Sequence, residues 1–383
     1  MALTLAELCA GTEKDYGMTL IAGEKGIDNM VQWVHYIEGG EVPRFLHGYE
    51  LVFTTGMENH NTGWLIKFAE KLHEYRACGF VINLGPYVKD VPSEVIDYCN
   101  RVSLPLYTIP WETRIIDITY ELCHHIVTDE KQSRNVADTF IYAINNPLRE
   151  EKYKPELEKI GFVDGEPYEV AALKIDMDKE KLESAERVAK YNAIRRLNKY
   201  TQRNSVFSLE SVIIIICQGI EQSIFEKEIK ELAESLKELC GGKIAAGTAA
   251  SETNGSKIYK AYRCACDVVK ISLAKGEIFN KYSDMGVYKI LMAADDKECL
   301  KNYCDEFLGA LKDYDEKNNT DYLNTLRLYL ENDSSITAVA SITFVHRNTV
   351  NYKIKKIKEI LGCELTQSDK LKIMLAFAAE RLI

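Results

Sequence analysis

The stretch SITAVASITFVHRNTVNYKIKKIKEIL, residues 335–361, decides how the rest of the chain is read. It holds two short helical patterns joined by a tight connection. In the second, Val350, Ile354, Ile357 and Leu361 recur at spacings of four, three and four, which places them on one narrow apolar stripe. On a helical wheel Asn348, Asn351, Tyr352 and Lys355 fall on or near the opposite side, and Arg347, Lys353, Lys356 and Lys358 flank the stripe. Between His346 and Lys358 there are five Lys or Arg and no acid, in a chain of net charge −10. A helix with one face in a core and the other offering cations and amides suits a DNA major groove. Its cations meet phosphates and its amides read base edges. The first helix of the pair, expected near 335–341, would bury Ile336, Val339 and Ala340 and take Ser334 or Ser335 as its N-cap. A solvated lysine-rich surface helix is the plainer reading of any one basic amphipathic segment. The pairing, the short connection and the lack of acids argue against it here.

HRNTVNYKIKKI, preceded by SITAVASITFV and by TLRLYLEND, resembles the C-terminal helix-turn-helix of the purine-catabolism regulator (PucR) family. The resemblance implies DNA contacts from His346, Arg347, Asn348, Thr349, Asn351, Tyr352, Lys353, Lys355 and Lys356. The family carries more arginines in this helix, where this chain has Asn351, Lys353, Lys355 and Lys356. Lysine is a point charge and arginine a planar fork, so the departure bears on which operator is read.

At 383 residues the chain has room for two or three domains, and 46% hydrophobic with 28% charged residues is the balance of a soluble globular protein. The apolar run VIIIIC at 212–217 is far too short for a membrane span, and MALTLAELCAGTEK has no basic stretch ahead of its apolar residues. Eleven scattered cysteines without a CxxC pair point to buried thiols in a reducing cytoplasm and not to a disulfide frame or zinc site. From Thr320 onward nine Lys or Arg stand against seven Asp or Glu, so the basic character sits with the DNA-binding pattern and the preceding chain is acidic.

Residues 1–114 alternate strand and helix. Apolar runs at 51–55, 80–84 and 106–109 stop at Gly56, Gly85-Pro86 and Pro110, with helical patterns at 64–75 and 93–101 between them. That order predicts a parallel sheet with helices on its faces, and small ligands bind beyond the carboxyl ends of such strands. Those ends carry Thr54, Thr55 and Gly56, then Asn83 and Gly85, then Trp111. The pieces LTLAELCAG, IAGEKGIDNMVQWVHYIE, LVFTTGM, GFVINLG and LPLYTIPWETRIIDIT resemble the N-terminal domain of the same family. What the resemblance implies is an effector-sensing domain, with Trp33, His35, Glu38 and the Thr54-Thr55-Gly56 turn as candidate contacts beside Asn83 and Gly85. Trp33 and His35 lie two apart on an expected strand, where a histidine is commonly a satisfied structural residue, and the turn also reads as a simple strand end.

From Ile115 past Ile144 the pattern is helical with near-heptad spacing, interrupted at Asp129 and Ser133, as expected of a connector or dimer contact at 115–150. Cys123-His124-His125 are adjacent and point about 100° apart on a helix, which argues against a metal site. Residues 160–285 read as strand, helix, one or two strands, helix, strand and helix, a βαββαβ ferredoxin-like order. SKIYKAYRCACDVVKI and FNKYSDMGVYKIL resemble the degenerate GGDEF-like domain found in the middle of such regulators. The hairpin that would hold the paired glycines reads SVFSLES at 205–211, with Glu210 as its one acid, so a structural or regulatory role is expected in place of catalysis. Gly241-Gly242 follows a helix and reads as a C-cap. Residues 286–319 are expected as a helical linker, with the polar run at 313–317 as its break, and 320–383 as the all-α helix-turn-helix domain.

The expectation is a cytoplasmic, multidomain α/β plus α regulator without cofactor or metal. It would be a homodimer or higher homo-oligomer that binds a double-stranded DNA operator and responds to a small-molecule effector, a purine catabolite or another metabolite. Two other readings stay open: an enzyme using the N-terminal α/β domain, and a nucleotide-sensing signalling protein using the central one.

Overall fold

The computed structural model describes residues 3–38, 46, 48–57, 63–294 and 297–382. The chain forms two compact units, residues 1–163 with 187–207, and residues 164–186 with 208–383.

The first unit starts with α1 (Leu5–Leu8), α2 (Thr12–Tyr16), β1 (Thr19–Ala22), β2 (Trp33–Tyr36) and β3 (Glu50–Thr54). It continues through α3 (Trp64–Glu74), β4 (Gly79–Leu84), α4 (Ser93–Val102), β5 (Leu106–Pro110), α5 (Ile115–Asn145) and α6 (Glu150–Lys159). The strands lie in the order β1-β5-β4-β3-β2. β2, β3, β4 and β5 run parallel, and β1 closes the β5 edge antiparallel. Leu51-Val52-Phe53 and Phe80-Val81-Ile82 are buried on both faces, which is why these central strands read as unbroken apolar runs. Val52, Phe80 and Ile82 pack with Phe68 of α3 and Val95 of α4. The alternate residues Phe53 and Val81 pack with Leu5 and Leu8 of α1 and with Ile118, Leu122 and Ile126 of α5. The interruption expected at Asp129 and Ser133 does not break the helix. α5 runs unbroken for 31 residues.

The next elements are β6 (Glu169–Asp176), α7 (Lys179–Leu197), β7 (Asn204–Leu209), β8 (Val212–Cys217), α8 (Gln222–Cys240), β9 (Lys243–Thr248), α9 (Ile258–Lys275) and β10 (Phe279–Lys281). This is the element order expected for 160–285, and α7 and β7 straddle the division between units. β6 pairs antiparallel with β8 on one side and β9 on the other, and β10 lies parallel to β9. Glu210 and Ser211, both at positive φ, turn the chain into β8 within the segment read as the degenerate hairpin.

The chain ends in helices: α10 (Tyr288–Met292), α11 (Lys297–Asn318), α12 (Tyr322–Glu331), α13 (Ile336–Thr343), α14 (Arg347–Leu361) and α15 (Gln367–Glu380). One core holds Leu308 and Leu311 of α11, Leu326 of α12, Val339 of α13, Val350, Ile354 and Ile357 of α14 and Ile373 of α15. The stretch expected as a linker therefore supplies a helix to this core. The polar run at 313–317 lies inside α11, and the chain breaks at Asn319, at φ 50°. Asp315 within that run caps the next helix. Its carboxylate accepts from the amides of Tyr322 at 2.9 Å and Leu323 at 2.8 Å.

Candidate nucleic-acid interface and effector site

α13 and α14 form the expected pair. Ser335 caps α13, its hydroxyl accepting from the Ala338 amide at 3.2 Å, and Val339 is its fully buried residue. The connection is Phe344 in the left-handed conformation, then Val345 and His346. His346 caps α14 through Nδ1, which accepts from the Asn348 amide at 3.2 Å. Val350, Ile354 and Ile357 are buried, and Leu361 packs at the end of the same stripe.

Asn348, Asn351, Tyr352 and Lys355 on or near the opposite face are exposed, as are Arg347 and Thr349 in the first turn. The lysines differ in what they do. Lys353 turns back toward α12, where its Nζ lies 3.4 Å from the Thr325 hydroxyl. Lys356 pairs with Glu359 at 2.9 Å, which holds the Glu359 carboxyl below its usual range, and Lys358 pairs with Glu364 at 3.1 Å. Arg347 and Lys355 make no ion pair among the described residues. They are the cations of this face available to a phosphate. Phe344, 95% exposed in the turn, was not picked out from the sequence. Its signal is a large apolar residue just ahead of the N-cap of a basic helix.

The carboxyl edge of the first sheet gathers Glu38, Thr54, Thr55, Gly56, Asn83, Gly85 and Trp111. Glu38 follows β2, and its carboxylate accepts from the Thr55 amide at 2.7 Å, the Met57 amide at 3.0 Å and the hydroxyls of Thr55 and Tyr36. Burial pushes the Glu38 carboxyl up, but the bonds from Thr55, Tyr36 and the two amides outweigh it and hold it below its ordinary value. The Thr55 and Met57 amides are thus occupied by this side chain. The Thr54 hydroxyl accepts from the Gly56 amide at 3.3 Å. Gly56 sits at φ +72°, where an added Cβ would lie 2.8 Å from the Trp64 ring. Asn83 is 3% exposed, and its side-chain oxygen is buried without a hydrogen-bond partner among the described residues. A buried orphan of this kind calls for a cause. Next to it Trp111 lies on Gly85, where a Cβ would fall 2.2 Å from the indole, and Tyr87 stands 5.8 Å from that ring.

Trp33 and His35 are not part of this edge. Trp33 opens β2 opposite Glu50, at the amino end of the sheet, and His35 lies mid-strand opposite Val52. At about 3.3 Å per residue, Trp33 is roughly 10 Å from Tyr36 at the other end of the strand. Tyr36, Met57 and Tyr87 belong to the edge and were not read from the sequence. The i,i+2 alternation of Tyr36 and Glu38 was the available signal for the first.

Both regions match models of known protein families. Residues 7–126 match the purine catabolism regulatory protein-like (PucR) family model, and residues 322–379 match the PucR C-terminal helix-turn-helix domain. The chain carries both PucR domains. Three curated relatives come from Bacillus subtilis (strain 168). The proline-responsive transcriptional activator PutR is 34% identical over 113 residues, 29% of this chain and 28% of PutR. The DNA-binding transcriptional activator AdeR is 27% identical over 84 residues, 22% of this chain and 20% of AdeR. The purine catabolism regulatory protein is 31% identical over 113 residues, 28% of this chain and 20% of that protein. Each match therefore spans less than a third of the relative's length. The PucR helix-turn-helix match encloses α12, α13, α14 and nearly all of α15, and the N-terminal PucR match encloses the sheet edge from Glu38 to Trp111. Among the described residues, no helix is long and apolar enough to cross a membrane.

Proposed function

We propose that this protein is a ligand-responsive DNA-binding transcriptional regulator of a catabolic pathway. The observation that carries the proposal is α14 itself, anchored by Val350, Ile354 and Ile357 and presenting Arg347, Asn348, Asn351 and Lys355 to solvent at its start and along one face. In this reading α14 enters the major groove, Arg347 and Lys355 hold phosphates, and Asn348 and Asn351 read base edges. The effector site is the carboxyl edge of the first sheet, with Thr54, Thr55, Gly56, Asn83 and Gly85 as its floor and Trp111 as its wall. Glu38 is the clamp that fixes the Thr55–Met57 turn. The likeness to a proline-responsive activator and to a purine catabolism regulatory protein makes proline and a purine breakdown product the effectors to try first. The protein acts in the cytoplasm, without catalytic activity of its own.

We also assign self-association to α5, whose outward side exposes Ile116, Tyr120 and Val127 at helical spacing. The central elements serve as a degenerate GGDEF-like relay, since SVFSLES offers neither paired glycines nor several carboxylates for a metal.

The test is selection of duplexes from a random pool by the intact protein, then affinity for the selected and scrambled sites. Asn348→Ala and Asn351→Ala should narrow the gap between the two sites by about 1–3 kcal/mol if a bidentate adenine contact is lost. A protein that melts cooperatively yet enriches no sequence would overturn the proposal. Discrimination unchanged in both variants would place base reading elsewhere.

A further inference from the structure

Helices α10, α12 and α15 enclose a cavity of about 360 Å³ that none of the roles above uses. Its wall is mostly apolar. Leu330 and Phe377 are buried in it, while Val287, Leu371 and Met374 stand exposed around it. Isolated exposed apolar residues need no cause, but three gathered at one concavity do.

Two guanidinium groups are set into that wall. Arg381 donates from Nη1 to the Tyr288 hydroxyl at 2.6 Å and from Nη2 to Glu331 at 3.1 Å. Arg327 lies over the Phe377 ring, 5.0 Å from its centroid, and donates from Nη2 to Glu380 at 3.1 Å. Its Nε–H is buried and meets no acceptor among the described residues. A guanidinium has no way to retract that donor by losing its proton, so the missing partner is an acceptor. The local charge points the same way. Lys312 also pairs with Glu380, at 2.8 Å, so Lys312, Arg327 and Arg381 share the two acids Glu331 and Glu380. A further cation, Lys275, lies 5.6 Å from the Tyr288 ring centroid. The surroundings of this cavity are thus cationic in a chain whose net charge is −10.

We infer that the cavity binds a small organic carboxylate. Its apolar body would lie against Leu330, Leu371 and Met374, and its carboxylate would take up the unused capacity of Arg327 beside Arg381. The volume lies within the range of small-molecule sites, and an apolar wall with a few fixed polar groups is their usual make-up. The site is separate from the sheet edge of the N-terminal domain. It adjoins the DNA-binding helix, because α12 carries Arg327 on one side and Thr325, the partner of Lys353, two residues earlier.

The experiment uses the full chain with hexanoate, octanoate and 4-phenylbutyrate, each beside its primary amide. Calorimetry gives affinity, and a methyl-labelled methionine spectrum reads Met374. The carboxylates should bind about ten- to a hundredfold more tightly than their amides, as expected when a hydrogen bond becomes charge-assisted. The Met374 methyl signal should shift on binding. Met374→Trp, at a half-exposed position that tolerates bulk, should fill the cavity and abolish binding while leaving the melting temperature unchanged. Arg327→Lys, which keeps the charge and removes the Nε donor, should weaken the carboxylates more than the amides. Three results would each overturn the inference: no carboxylate bound at millimolar concentration, amides bound as tightly as acids, or full binding retained in Met374→Trp.

Discussion

Ile357→Ala is expected to cost about 2–5 kcal/mol of stability, the loss seen when a buried aliphatic side chain leaves a cavity. Ile357 is fully buried and shares its core with Leu308, Leu311, Leu326, Val339, Val350 and Ile373, residues drawn from all five helices from α11 to α15. A small domain holds only about 5–15 kcal/mol in total, so this one change removes a large share of what fixes α14. Duplex binding should fall with stability, and both should recover together with added osmolyte. Urea unfolding followed by circular dichroism measures it. A loss below about 1 kcal/mol would mean that α14 is not held by this stripe. The exposed side of α14 behaves differently, because Asn351→Ala there should leave the urea midpoint nearly unchanged.

The second large effect is expected at Glu38. Glu38→Ala removes the acceptor of two backbone amides and two hydroxyls, and the buried Thr55 is left with donors that have lost their partner. Hydrogen bonds to a charged group and the cost of orphaned donors put the loss at about 1–3 kcal/mol. The lower half of that range is expected, since the carboxylate is partly exposed and screened. The sign of the pH dependence follows from the depressed pKa. Glu38 holds its proton less tightly folded than unfolded, so its contribution is complete above the unfolded value of about 4.3 and is lost as pH falls through the folded one. The stability gap between the parent protein and Glu38→Ala should therefore be full at neutral pH and shrink in acid below that window. Urea titrations followed by tryptophan fluorescence at several pH values test this. A gap that stays constant into strong acid would show that the ionised carboxylate is not what ties Thr55 and Met57 to β2.

These two residues also mark how far the sequence could be read. The stripe containing Ile357 is written in consecutive turns of a single helix, so spacing alone identifies it and places Asn351 and Lys355 opposite. The parallel sheet is legible for a similar reason, because Leu51-Val52-Phe53 and Phe80-Val81-Ile82 are apolar on both faces and stop at glycine. The Glu38 clamp is not legible, since it joins residues 17 positions apart across a strand register that no local pattern encodes. Trp33 shows the converse error. It shares a short strand with His35 and stands close in sequence to Glu38, yet an extended backbone carries it to the far edge of the sheet. Composition misled at 313–317, where a polar run read as a break is helical and contributes Asp315 as a cap for α12. The acid is there because the first turn of the next helix needs acceptors, a requirement visible only once the two helices are side by side. Phe344 was passed over because an isolated exposed aromatic has no periodicity to reveal it.

The measurement closest to the DNA-binding proposal is the salt dependence of binding by the intact protein to its selected duplex, with and without Lys355→Ala. Counterion release predicts a linear fall of log affinity with log salt. Lys355→Ala should bind every duplex more weakly, with a slope shallower by about one, the signature of a single lost phosphate contact. Parent and variant with the same affinity and the same slope would contradict the placement of this face of α14 on DNA.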